Sequence, residues 1–289
     1  MKGKNMIVGL IAMYMPKPNE IGNISKYIGE LDYCYLLDDS AQDNSSVVQT
    51  LLEEHPGKVE YYMNPYNMGL VGSVNNGFRM AIEKSADWVL VMNPDGTFQN
   101  NAISIFKKYI SQNNTDDVGI ICPVFNIDRR PKEAGIGTRE VKYPDMTGCL
   151  YNTKILSQIG FYDEKTYFYG LDLEYCLRVK KNGYRIIECS EAVLNHKPAE
   201  TYAVTLFGKT LFKCGKDNPQ RYYYQFRSGY YIYKKYHSFY CFAFHVYKWL
   251  KVVLFFDNKK EYFRMINLGI QDAKRGFFGN IKDREKWIG

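Results

Sequence analysis

With 289 residues, 24% of them charged and 46% hydrophobic, the chain has the make-up of a globular protein: one large domain, or one of about 200 residues plus an appendage. Its seven cysteines are scattered, odd in number and without a C-x-x-C pair, which argues against a disulfide framework or a zinc site and suits a reducing compartment. The net charge of +7 is unevenly spread, because from Thr201 onward 17 Lys and Arg face 6 Asp and Glu, a net of +11, leaving −4 for the first 200 residues. A basic tail of this kind seeks phosphate, of nucleic acid or of anionic lipid. Met1 to Asn5 lead straight into a strand-like run, so no signal peptide is expected. No run of 18 or more uncharged apolar residues predicts a membrane span. Aromatic residues reach 16%, with 26 tyrosines; most are expected in the core, but rings also line sugar clefts and sit at membrane interfaces.

The first half alternates strand-like and helix-like segments. Short apolar runs at Met6–Ala12, Tyr33–Ser40, Val59–Asn64 and Asp87–Gly96 read as buried strands. Between them, Glu20–Leu31, Asn44–Glu54 and Val71–Ser85 read as helices. This order predicts an α/β fold, a parallel sheet covered by helices, with ligands outside the carboxyl ends of the strands. Further strands are expected from Val118 and from Met146, with a polar, basic loop or lid over Asn126–Asp145 between them. A helix at Thr153–Ile159 and an aromatic turn follow. Then come a helix from Leu171 stopped by Gly183 and a strand ending at His196. From Thr201 the chain reads as helical and basic.

Several segments place acids and amides at predicted strand ends. Asp95, in Asn93-Pro94-Asp95-Gly96, stands where a carboxylate can hold a divalent ion against a nucleotide diphosphate, although Asp-Gly there is more often only a turn. Asp38-Asp39-Ser40 could meet a base or ribose, or cap the next helix. Between Asn64 and Phe78, Gly69 and Gly72 precede or open a helix whose N-terminus favours an anion. That segment is neither a Walker motif nor a dinucleotide fingerprint. Asp172 suits a general base; Glu174, two residues on, has Arg178 as an i,i+4 partner. His196 is a candidate third ligand beside a carboxylate.

Taken in order, these segments resemble family 2 glycosyltransferases, most closely the bacterial rhamnosyltransferase-like branch. The resemblance runs from about Ile7 to His196. It rests on D-D-S, on N-x-x-N-x-G-x-x-x-x-x-N-x-G (Asn64 to Gly77), and on W-V-L-V-M-N-P-D. It continues through T-G at Thr147-Gly148, G-F-Y-D-E, D-x-E-x-x-x-R, G-Y-R-I and the closing His. It implies an inverting GT-A catalytic domain over residues 1–200, a Rossmann-like nucleotide-binding sheet flanked by helices, with a basic, Tyr-rich helical extension over 201–289. It also implies roles: Asp95 and His196 for Mn2+ or Mg2+, and Asp39, Asn67, Gly69 and Asn93 for the nucleotide. Thr147 and Gly148 fall to the acceptor, and Asp172 to the base. Asn93 replaces the first Asp of the usual D-x-D, and Leu171 replaces a Glu. The donor implied is dTDP-rhamnose or a UDP-hexose, and the acceptor a glycan or lipid-linked glycan of cell-surface polysaccharide synthesis, at the cytoplasmic side. A nucleotidyltransferase would need a basic Gly-rich loop after the first strand, which Ile11–Glu20 lacks; a non-catalytic nucleotide-sugar binder remains the alternative. Nucleic acid is not expected as a partner, since the tail has no recognised module.

The segment Phe239–Phe256 is apolar except for His245, Lys248 and Lys251, which fall on one narrow helical stripe. Two readings stand: a helix lying in an anionic membrane surface with its lysines toward phosphates, or one packed on the catalytic domain or on a second subunit.

Overall fold

The computed structural model describes residues 5–206 and 209–288. The leader reading rests mostly on residues 1–4, which lie outside the described residues. The chain divides into two compact units: residues up to Tyr162 with Tyr175–Lys197, and Asp163–Glu174 with the residues from Pro198 onward.

The first unit is built on four parallel strands, β1 (Ile7–Met13), β2 (Tyr33–Asp38), β3 (Val59–Met63) and β4 (Trp88–Met92), in the order β3-β2-β1-β4. The side chains of β1, β2 and β4 are almost continuously apolar because helices cover both faces, while β3, at the edge, is partly exposed. Those helices are α1 (Pro18–Ile28), α2 (Ser45–Glu54) and α3 (Gly69–Glu83). α3 lies close on the sheet: a Cβ at Gly77 would stand 2.6 Å from Leu37 and 2.9 Å from Leu10 side-chain carbons, so the glycine is a packing requirement.

After β4 come β5 (Thr97–Phe98), α4 (Ala102–Gln112) and β6 (Val118–Asn126). β8 (Cys149–Asn152) joins β4 to β6 through antiparallel pairing, and β9 (Arg185–Asn195) runs parallel to β6. The expected loop over residues 126–145 carries a short exposed strand, β7 (Thr138–Glu140), paired antiparallel with β9. Helix α5 (Thr153–Ile159) starts on an Asn152 cap, whose side chain accepts from the Lys154 N–H. All seven cysteines are unpaired and buried.

The second unit corrects one expectation. Residues after Thr201 do not begin as helix: β10 (Glu200–Leu206) and β11 (Lys209–Lys216) pair antiparallel. The period-2 alternation and β-branched residues of Thr201, Val204 and Thr205 favour a strand, and the charge count masked that pattern. Helices α7 (Pro219–Tyr236), α8 (Phe239–Phe255) and α9 (Lys259–Arg275) follow, then a short α10 (Arg284–Ile288). Tyr222, Phe226, Val252, Phe256, Tyr262 and Ile266 form their core.

A second correction concerns α8. Lys248 and Lys251 are 9% and 5% exposed. Lys248 Nζ donates to Gln225 Oε1 at 2.5 Å and Lys251 Nζ to the Gly215 carbonyl at 2.6 Å. The lysine stripe therefore faces the interior of the unit, where carbonyl and amide oxygens are available, and the apolar side chains face outward.

Candidate active site

The strand order reverses direction between β1 and β4, and in open α/β sheets ligands bind outside the carboxyl ends at such a point. β2 ends there on two carboxylates that behave differently. Asp38 is fully buried and serves the loop: its oxygens accept from Ser40, from Asn44 Nδ2 at 2.7 Å and from the Tyr61 hydroxyl at 2.8 Å. Asp39 reaches instead to the start of α3, where its Oδ1 accepts from the Met68 N–H at 2.7 Å and from Asn64 Nδ2 at 3.0 Å. Asn67 Nδ2 donates to the Asp39 carbonyl at 3.1 Å, and Gly69 opens α3 with a positive φ of 74°. The helix N-terminus expected to attract an anion thus receives a carboxylate from the chain itself. Burial raises the Asp39 pKa, outweighing the hydrogen bonds from Met68, Asn64 and Gly69 that lower it. At the end of β1, the Tyr14 ring is 61% exposed and offers a flat apolar face to a planar ligand.

Beyond β4 the Asn93–Gly96 turn is fastened at several points. The Gly96 N–H donates to the Asn93 carbonyl at 3.1 Å, and Asn23 Nδ2 to the Pro94 carbonyl at 3.3 Å. The Asn93 N–H donates to Thr147 Oγ1 at 2.9 Å. Thr147, expected at the acceptor, is completely buried with its hydroxyl committed to this turn. Gly148 follows with φ 75°, donates its N–H to the Val91 carbonyl at 2.8 Å, and would press a Cβ to 2.9 Å from Leu194. Both residues brace the end of β4.

The turn leaves the Asp95 side chain 49% exposed, and His196 at the end of β9 places Nδ1 3.6 Å from Asp95 Oδ1. The two residues are 101 positions apart in sequence, and the sheet unites them. Among the described residues the buried His196 Nδ1 has no hydrogen-bond partner. An unpartnered imidazole nitrogen beside a half-exposed carboxylate is a donor pair suited to a divalent ion that takes its remaining ligands from phosphate oxygens and water. Among the described residues no group of three His, Cys, Asp or Glu side chains is placed to hold an ion. On the other edge of the ring, Nε2 lies 3.9 Å from Asp145 Oδ2, a neighbour not singled out from the sequence. Asp145 precedes Thr147-Gly148 by two residues and also accepts from the Thr147 N–H at 3.1 Å.

Asp172 belongs to the second unit, half-buried in the first turn of α6 (Leu171–Lys181), where its Oδ1 accepts from the Leu173 N–H at 2.8 Å. Glu174 is fully buried there; Lys235 Nζ donates to it at 2.9 Å and the Tyr236 hydroxyl at 2.6 Å. Lys235 also reaches Asp163 at 2.6 Å, and the Tyr231 hydroxyl donates to the same carboxylate. Helix α7 thereby holds the segment that carries Asp172.

Comparison with known proteins bears on family and fold. The chain is 23% identical over 300 residues to the dTDP-rhamnosyl transferase RfbF of Shigella flexneri, covering 94% of this chain and 97% of the relative. An uncharacterized protein of Mycobacterium tuberculosis is 25% identical over 156 residues, 49% of this chain and 58% of its own. In fold the chain is similar to the crystal structure of GalNAc-T7 with UDP, GalNAc and Mn2+, at a TM-score of 0.59 and 12% identity. That match covers 99% of this chain, which spans only 54% of the solved one, and it marks the fold as GT-A-like. The Glycosyl transferase family 2 profile matches residues 24–169, the stretch from α1 through the loop before α6 that contains Asp39, Asp95 and Thr147. With half of its length matched, the chain belongs to glycosyl transferase family 2.

Proposed function

We propose that the chain transfers a sugar, with inversion, from a nucleotide-diphosphate sugar of the dTDP-rhamnose or UDP-hexose type to a glycan or lipid-linked glycan. The reading fits cell-surface polysaccharide synthesis at the cytoplasmic face of a membrane. The observation that carries it is the convergence of Asp95 with the unpartnered Nδ1 of His196 at the sheet's carboxyl edge. Those two residues would hold Mn2+ or Mg2+; when bound, the ion supplies charge neutralisation for the departing diphosphate. Asn93, Asn67 and Gly69 shape the nucleotide side, Asp39 fixes the start of α3, and Tyr14 offers a stacking face for the base. Asp172 would take the proton from the acceptor hydroxyl as that oxygen attacks the anomeric carbon, so a single displacement inverts the configuration. The dTDP-rhamnosyl relative, matched over nearly its whole length, favours a deoxyhexose donor.

A thermal-shift screen of nucleotide sugars with Mn2+ or Mg2+ tests the donor, because a ligand that binds the native state raises Tm as its excess grows. A stabilising nucleotide sugar that is also slowly hydrolysed identifies an enzyme. Stabilisation with neither hydrolysis nor transfer to any acceptor would favour a non-catalytic binder.

A further inference from the structure

We infer that the outward face of α8 is a docking surface for an anionic lipid bilayer, with the helix lying flat and its aromatic side chains in the lipid. This deepens the reading of a lipid-linked acceptor and rests on it only for its biological purpose. Phe239 and Leu254 are 79% and 61% exposed, and Tyr240, Phe242, Trp249 and Leu250 are also exposed between them. The polar groups of the helix, Lys248 and Lys251, are turned inward, so nothing charged interrupts the outer face. Beside it, α7, α8 and α9 enclose an apolar groove of about 350 Å³, lined by Phe226, Tyr230, Tyr233, Phe242, Val246 and Trp249 among others. A groove of that character accepts a hydrocarbon chain. No described helix is long and apolar enough to cross a membrane, and 17 residues rise only ~25 Å.

Charge selects the occupant. Exposed Lys234 stands just before α8, and exposed Lys259 and Lys260 just after it. Between Asp217 and Asp257 the sequence contains no acidic residue. The exposed Asp257 lies between α8 and Lys259, but the residues from Thr201 onward carry a net of +11, so two copies meeting through this face would oppose like charges, whereas anionic headgroups meet the lysines while the tails receive the rings. Trp and Tyr suit that boundary because each joins an apolar ring to a polar tip.

Flotation with phosphatidylcholine vesicles, with and without phosphatidylglycerol, tests the inference in the absence of donor and acceptor. The wild type should float with the anionic vesicles. The double variant Leu250→Asp/Leu254→Asp should lower partitioning at least about tenfold. Lys259→Glu/Lys260→Glu should lower it by a similar factor, and added salt should weaken only the lysine contribution. All four side chains are exposed, so unchanged circular dichroism and Tm should confirm folding. A wild type that ignores anionic vesicles, or an Asp double variant that floats equally well, overturns the proposal. If the same variant instead converts a dimer to a monomer by light scattering while the wild type does not float, the face is a subunit interface. A wild type that floats yet transfers no sugar would refute the transferase reading alone.

Discussion

Replacing Thr147 by Val isolates the contribution of one buried hydroxyl to the site. The two side chains have nearly the same shape, and the new methyl would sit near Met92 Sδ, an apolar neighbour 3.5 Å from the present oxygen. What disappears is the acceptor for the Asn93 N–H, now made at 2.9 Å in a part-buried setting. Leaving a buried donor unpaired costs ~1–3 kcal/mol, and partial burial points to the lower half, about 1–2 kcal/mol. For a unit of this size each kcal/mol lowers Tm by ~2–4 °C, so a fall of roughly 2–8 °C is expected by calorimetry. Because the freed amide belongs to the turn that carries Asp95, Mn2+-dependent nucleotide binding should weaken by about 10–100-fold, the range seen when groups supporting metal ligands are removed. Thr147→Ser keeps the hydroxyl and should recover most of the binding. A valine variant with unchanged Tm and unchanged binding would refute the bracing role.

Asp172→Asn should leave Tm and donor affinity nearly unchanged while turnover falls by ~10²–10⁴; an active variant removes Asp172 as the base. Asp39→Asn should keep the bonds from Met68 and Asn64 through its amide oxygen. Since the folded pKa of Asp39 lies above its unfolded value, ionisation costs stability as pH rises past the unfolded value near ~4. The variant's Tm at pH 7 should therefore match or exceed the wild type's, with the advantage fading below about pH 4, while nucleotide affinity drops. A lower Tm at pH 7 would contradict this. Lys235→Met removes the cationic partner of the fully buried Glu174 and leaves it the Tyr236 hydroxyl. Breaking such a pair costs ~3–5 kcal/mol, toward the lower end here because the Lys235 side chain is 34% exposed. Adding Glu174→Gln should restore much of the loss in a double-mutant cycle, and strict additivity would argue against the coupling.

The parallel sheet was legible because its strands are continuous apolar runs separated by amphipathic helices, a pattern local enough to read residue by residue. The approach of Asp95 to His196 was expected from motif order, but its geometry depends on the end of β9 pairing with β5, just past the Asp95 turn, which no local pattern encodes. Thr147-Gly148 was recognised as significant and assigned to the acceptor. Burial, a property of the whole fold, places it beneath the turn instead. Charge misled in the second unit. It obscured the β10–β11 hairpin, whose alternation is interrupted by lysines. Of the two readings of α8, the one that turned Lys248 and Lys251 toward lipid phosphates fails on the lysines, whose ammonium groups find buried oxygens while their stems pack inside. Glu174 was read as part of a helix-surface pair with Arg178; its burial against Lys235 and Tyr236 depends on a helix 60 residues further along, beyond any local window.

The most direct test of the metal-assisted donor site is an electron paramagnetic resonance titration of Mn2+ against the full chain, with and without dTDP or UDP. Asp95 and His196 offer few protein ligands, so the ion should bind weakly alone and tightly, in a ratio of about one per chain, once the diphosphate completes its shell. Asp95→Ala should abolish the nucleotide-dependent binding, and His196→Ala should weaken it about tenfold or more. Wild-type Mn2+ and nucleotide binding in Asp95→Ala would contradict the account.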